Sequence, residues 1–183
     1  MLRTFVAIPV QSKKIISALE NIKTKLSNEK IKWVNPDNLH ITLYFIGNIE
    51  NNIIDKIRSN LNLINVSNIS IEFTKLGFFT KGRYPRVLFV KTAPSKELQI
   101  LYNEIKKSLL QTIDLSEESR EYVPHLTLGR IKYINNLKRF HKIVDEFSDQ
   151  FKTIYQVNEF VFYKSRLTPE GPIYEPLQVR KLI

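Results

Sequence analysis

The chain has 183 residues, 43% of them hydrophobic, enough for one compact domain or two small lobes sharing a cleft and too apolar for a disordered chain. With 28 Lys and Arg against 18 Asp and Glu the formal net charge is +10, so the surface is expected to attract polyanions, RNA or DNA first among them. The lack of cysteine excludes disulfides, a cysteine nucleophile and cysteine-ligated zinc, and no stretch offers the roughly 18 uninterrupted apolar residues of a membrane span.

Residues 3–10 form a short apolar run broken by Pro9, with no signal-cleavage pattern, and read as a strand of a soluble cytoplasmic protein. After Ser12, a candidate N-cap, Ile15, Leu19, Ile22 and Leu26 recur at helical spacing. The same spacing returns near Asn51 with Ile54, Ile57, Leu61 and Ile64, after Ser95 with Leu98, Leu101, Tyr102, Ile105 and Leu109, and through Leu137, Phe140, Val144 and Phe147. Four amphipathic helices are expected. Residues 39–46, 69–76, 86–92, 124–130, 153–164 and 173–181 read as strands. The segment Lys81-Gly82-Arg83-Tyr84-Pro85-Arg86 reads as a hairpin turn, with an RNA-guiding loop as the alternative use of Tyr84, and Phe78 and Phe79 before it read as core. Lys13, Lys14, Lys106 and Lys107 read as solvated helix faces that add to the field without adding specificity.

The order repeats. Ser12 and Ser95 each open a helix, His40 and His125 each sit on the next strand, and Asn51 and Asn136 each precede another helix, at offsets of 83, 85 and 85 residues. This predicts a single domain over 1–183 built by internal duplication, with halves of roughly 12–92 and 95–181 related by a pseudo-twofold axis. At the matching places stand His40-Ile41-Thr42-Leu43 and His125-Leu126-Thr127-Leu128, which use two of the three histidines.

In a strand, His40 and Thr42 share one face while Ile41 and Leu43 share the other, and the second copy alternates in the same way. A twofold axis between the strands brings two imidazoles and two hydroxyls to one cleft. Two imidazoles on opposite sides of a phosphorus can take a proton from an attacking oxygen and give one to the leaving oxygen, while threonine hydroxyls hold the non-bridging oxygens. A lone histidine is more often packing or surface, but the matched duplication is hard to explain by packing. Zinc is the competing use of histidine, yet the in-motif partner is a poor ligand. His141 is the only further imidazole and reads as a surface residue, and Asp37 and Glu121 lack ligand-like spacing. Neither metal nor cofactor is expected.

The two motifs resemble the signature of the two-histidine phosphoesterase superfamily, and their surroundings are similar to its RNA 2′,3′-cyclic phosphodiesterase branch, the LigT/ThpR type. The likeness extends to Arg3-Thr4-Phe5-Val6-Ala7-Ile8, Trp33, Asn38-Leu39, Phe45-Ile46-Gly47, Pro85-Arg86-Val87-Leu88, Pro124, Gly129-Arg130, Ser165-Arg166-Leu167 and Gly171-Pro172-Ile173-Tyr174. It implies an α+β fold of two lobes, each with an antiparallel sheet and outer helices, the motif strands facing a central cleft. It also implies metal-independent hydrolysis of RNA 2′,3′-cyclic phosphate ends to 2′-phosphates, with His40 as proton donor and His125 as proton acceptor. Thr42, Thr127 and Arg130 are the expected substrate ligands, Arg130 because the motif strand is expected to end there and a guanidinium suits phosphate oxygens. The expected partner is RNA with a cyclic phosphate end, transfer-RNA fragments included, met by a monomer. Three alternatives stay open at this level: 2′-5′ RNA ligation, action on small cyclic nucleotides, and a non-catalytic RNA-end-binding module.

Overall fold

A computed structural model describes residues 1–114 and 121–183. The chain begins with β1 (Leu2–Pro9), and Ser12 caps α1 (Lys13–Lys25) by accepting from the Ile15 amide. Then come β2 (Lys30–Trp33), a 3-10 turn (Pro36–Asn38), β3 (His40–Ile49), α2 (Ile54–Asn62), β4 (Ile69–Lys81) and β5 (Tyr84–Thr92). The rest comprises α3 (Lys96–Leu110), β6 (His125–Tyr133), α4 (Leu137–Phe147), β7 (Thr153–Val157), β8 (Glu159–Leu167) and β9 (Pro172–Lys181). Ser95 and Asn136 cap α3 and α4 with their side chains. No helix among the described residues is long and apolar enough to cross a membrane.

The strands run β7-β4-β5-β6-β3-β1-β8-β9, with β2 paired to β6 at the side. All pairings are antiparallel, and β3 and β6 are joined by one residue pair, Ile41 with Leu126. Two half-sheets therefore meet where the motifs lie, which gives the bilobal α+β architecture expected. The apolar sides of these strands, Val6, Ile8, Ile41, Leu43, Leu88, Val90, Leu126 and Leu128, are fully or almost fully buried in one core with Ile15, Leu19, Leu101 and Phe140 of the helices. Burying such side chains stabilises the fold by about 1.5–3 kcal/mol each. Helix α1 packs beside α4 and α2 beside α3.

Three features differ from the reading of the sequence. Residues 153–164 are two strands: β7 pairs with β4 at one end of the strand order, whereas β8 pairs with β1 and β9 at the other. Only Asn158 separates them, so the sheet must curl until its ends are adjacent. There the Leu182 amide donates to the Asn158 carbonyl and the Asn68 amide to the Ile183 carbonyl. Alternation breaks at Asn158-Glu159, two polar residues between the buried Val157 and Phe160, a sign of the switch that the reading of one strand over 153–164 passes over. Strand β2 is too short to register as a pattern. The lobes also do not coincide with the halves 12–92 and 95–181: β4 lies in the His125 half-sheet and β8 in the His40 half-sheet.

The turn at 81–86 is a hairpin, Lys81 pairing with Tyr84 around Gly82 at φ +60°, a conformation that suits glycine. Of the two phenylalanines expected in the core, Phe78 packs on Phe140, but Phe79 is 39% exposed and belongs to the site described next.

Candidate active site

His40 is the first residue of β3 and His125 the first of β6, and both are half-buried. Each imidazole leans back on the main chain two residues earlier. His40 Nδ1 lies 2.6 Å from the Asn38 carbonyl and His125 Nδ1 lies 2.8 Å from the Val123 carbonyl. A carbonyl only accepts, so Nδ1 donates in both rings and Nε2 is the nitrogen left for chemistry. The local supports come from neighbouring strands. Asn38 Nδ2 donates to the Pro172 carbonyl at 2.9 Å, and Thr92 Oγ1 donates to the Pro124 carbonyl at 3.3 Å.

Aromatic rings box each imidazole. Phe5 and Tyr174 stand 5.2 and 5.3 Å from His40, and Phe79 and Phe89 stand 4.8 and 5.2 Å from His125, ring centre to ring centre. Burial under these rings holds both imidazoles below their ordinary value of 6.5, partly offset by the carbonyl bonds. For His40 a smaller lowering comes from the charge of His125, and for His125 from Arg130. The two imidazoles are thus close enough that a proton on one disfavours a proton on the other.

Thr42 and Thr127 share the faces of their histidines and are half-buried. Among the described residues neither hydroxyl makes a hydrogen bond to protein, so both remain open to a ligand. Arg130 reaches this face by a route the sequence does not suggest. Strand β6 does not end there but continues to Tyr133. Simple alternation would turn Arg130 away from His125 and Thr127. However, Phe89 pairs with Thr127 and Leu88 with Gly129, so Leu128 is one extra residue and the alternation resets. Arg130 then pairs with Val87 and Lys32, and its charge is felt by both His125 and Tyr174. The bulge requires glycine beside it: a Cβ on Gly129 would stand 2.7 Å from Ile31 Cγ2 and 3.1 Å from Trp33 Cε3 of β2.

His40, Thr42, His125, Thr127 and Arg130 are therefore assembled around the junction of the half-sheets. His141 is elsewhere, exposed on α4 against Phe78. The sequence does not reveal the site roles of Phe5, Phe79, Phe89 and Tyr174, because aromatic residues on strands usually signal core. Nor does it reveal Arg3, whose guanidinium lies 4.8 Å over the exposed Phe45 ring.

Residues 11–168 match the model of the 2′-5′ RNA ligase superfamily. The chain is 33% identical over 178 residues to an RNA 2′,3′-cyclic phosphodiesterase of Methanocaldococcus jannaschii, covering 97% of this chain and 99% of that one. It is 31% identical to an RNA 2′,3′-cyclic phosphodiesterase of Thermotoga maritima, over 96% of this chain and 93% of the relative. Among solved structures, the protein TT0787 of Thermus thermophilus superposes with a TM-score of 0.84 at 23% identity, over 99% of this chain and 98% of that one. Apo LigT of E. coli superposes at 0.77 and 22% identity, covering 99% and 97%, and both likenesses concern the fold. The chain belongs to the 2′-5′ RNA ligase superfamily.

Proposed function

We propose that this protein is an RNA 2′,3′-cyclic phosphodiesterase that opens the cyclic phosphate to a 2′-phosphate by paired-histidine acid–base catalysis, without a metal. The observation that carries the reading is the matched pair of imidazoles, each with Nδ1 bound to a carbonyl and Nε2 free, flanked by two unengaged threonine hydroxyls. The relatives' activity supports the same reading.

In the proposed reaction, His125 Nε2 takes a proton from water as its oxygen bonds to phosphorus, and His40 Nε2 gives its proton to the departing 3′-oxygen. Thr42, Thr127 and Arg130 hold the non-bridging oxygens, where charge grows in the transition state. The products are a 2′-phosphate and a 3′-hydroxyl, and the proton gained by His125 must return through solvent to His40 before the next turnover. Arg130 beside His125 favours the unprotonated form of that ring, as a base requires. An anionic phosphodiester between the rings favours the one proton that the acid requires. We further propose a monomeric single domain acting in the cytoplasm on RNA ends, transfer-RNA fragments among them.

Incubation in excess EDTA with an RNA ending in a 2′,3′-cyclic phosphate is expected to give a 2′-phosphate end. A 3′-phosphate product would reverse the leaving group, and tight binding without turnover would make the cleft a binding module. The superfamily's name points to a second use of the site, in which a ribose 5′-hydroxyl replaces water and a 2′-5′ linkage forms. Adding RNA with a free 5′-hydroxyl to the same assay reads that reaction directly.

A further inference from the structure

A groove of about 310 Å³ opens at the end of β6 remote from His125, its wall including Tyr84, Arg86, Ile131, Lys132, Tyr133 and Leu137. Tyr84 and Tyr133 are 64% and 57% exposed, so the core uses neither ring fully. Arg86 and Lys132 make no ion pair among the described residues. Exposed π-faces beside unpaired cations are the two elements with which proteins hold single-stranded nucleic acid.

One strand, β6, contributes to both the cleft and the groove. Beyond the bulge at Leu128, Arg130 follows Thr127 on the cleft face of β6; Lys132 is a second extra residue, since Ile131 pairs with Ile31 and Tyr133 with Lys30, and Tyr133 ends the strand. Eight residues along from His125 is about 26 Å at the rise of a strand, room for a few nucleotides of extended chain. Along this path Lys32 stands directly opposite Arg130. Like charges opposed across a ladder are destabilising on their own and become useful where a polyanion lies over them.

We infer that this groove is a distal subsite for the same RNA strand. It takes a nucleotide several positions to the 5′ side of the reacting end, its base against Tyr84 and Tyr133 and its phosphate beside Arg86 and Lys132. The inference rests on the phosphodiesterase reading of the cleft. It makes single-stranded RNA of several nucleotides, rather than a mononucleotide, the preferred substrate class.

The test compares kcat/KM for a nucleoside 2′,3′-cyclic phosphate and for a ten-nucleotide RNA with the same cyclic end, in wild type, Y84A/Y133A and Y84F/Y133F. Wild type is expected to favour the ten-mer. Y84A/Y133A is expected to lose about tenfold on the ten-mer alone, and the phenylalanine pair to restore it, since stacking needs the ring and not the hydroxyl. Equal losses on both substrates, no length preference in wild type, or failure of the phenylalanine pair to restore the ten-mer rate would each overturn the subsite. Binding of a labelled ten-mer with an unreactive 3′-hydroxyl end is measured in parallel. If the protein hydrolyses neither substrate, the phosphodiesterase reading fails. Weaker binding by Y84A/Y133A would then still support the groove, and unchanged binding would remove it.

Discussion

His40 and His125 each begin their strand and each give Nδ1 to the carbonyl two residues back, yet Phe5 and Tyr174 enclose the first while Phe79, Phe89 and the charge of Arg130 attend the second. The main chain thus treats the copies alike, and the side chains outside the motif distinguish them. Such a distinction fixes which imidazole keeps the proton, and so which way round an asymmetric cyclic phosphate must lie between acid and base. The surfaces differ in the same sense: the His40 side offers Phe45 under Arg3, the His125 side Arg130 opposite Lys32.

The strongest way to break the comparison is to remove each imidazole. His40→Ala and His125→Ala are each expected to lower kcat on cyclic-phosphate RNA at least about a hundredfold with little change in KM. A variant that retained near-normal kcat would show that one ring is dispensable and that the likeness of the two is only structural. Next in size are Thr42→Val and Thr127→Val, which keep shape and remove one donor each. Losses of about ten- to a hundredfold in kcat/KM are expected, and a clear inequality between them would say which side carries more of the phosphate's charge.

Arg130→Gln sharpens the electrostatic difference, with about a tenfold loss in kcat/KM expected. The guanidinium lowers His125, so its removal raises that ring and moves the acidic limb of the kcat/KM profile to higher pH. Corresponding substitution of Arg3 should leave that limb in place, and NMR titration of the two imidazoles checks the assignment. In the wild type, both free rings lie below 6.5, so the alkaline decline of kcat/KM begins at unusually low pH. The bound phosphate anion raises them, so kcat holds to higher pH than kcat/KM. The smallest effect is on stability: Gly129→Ala forces Ile31 and Trp33 away and should cost about 1–3 kcal/mol, read as a lower Tm.

The elements legible in the sequence carry their own local signal. Caps at Ser12, Ser95 and Asn136 and the stripes behind them place the helices, and alternation places His40 with Thr42 and His125 with Thr127. What cannot be read is what depends on partners distant in the chain. The reset at Leu128 that turns Arg130 inward exists only relative to β5, and the break of alternation at Asn158-Glu159 does not say that the strands before and after it go to β4 and β1. Phe79 reads as core because exposure of a strand aromatic is a property of the cleft, not of its neighbours in sequence.

The crossing of β8 into the His40 half-sheet sets the order in which the molecule can be completed during synthesis. Thr4 pairs with Lys164, so the outer edge of β1 has no partner until β8, about 150 residues later, has left the ribosome. The His125 half-sheet likewise waits for β7, which is made just before. Neither half of the chain can close its own lobe, and an unpaired strand edge invites association with other chains. Both motifs are thus made before β7, β8 and Tyr174 of β9, so a nascent protein holds its two histidines before the strands and the ring that complete their surroundings exist.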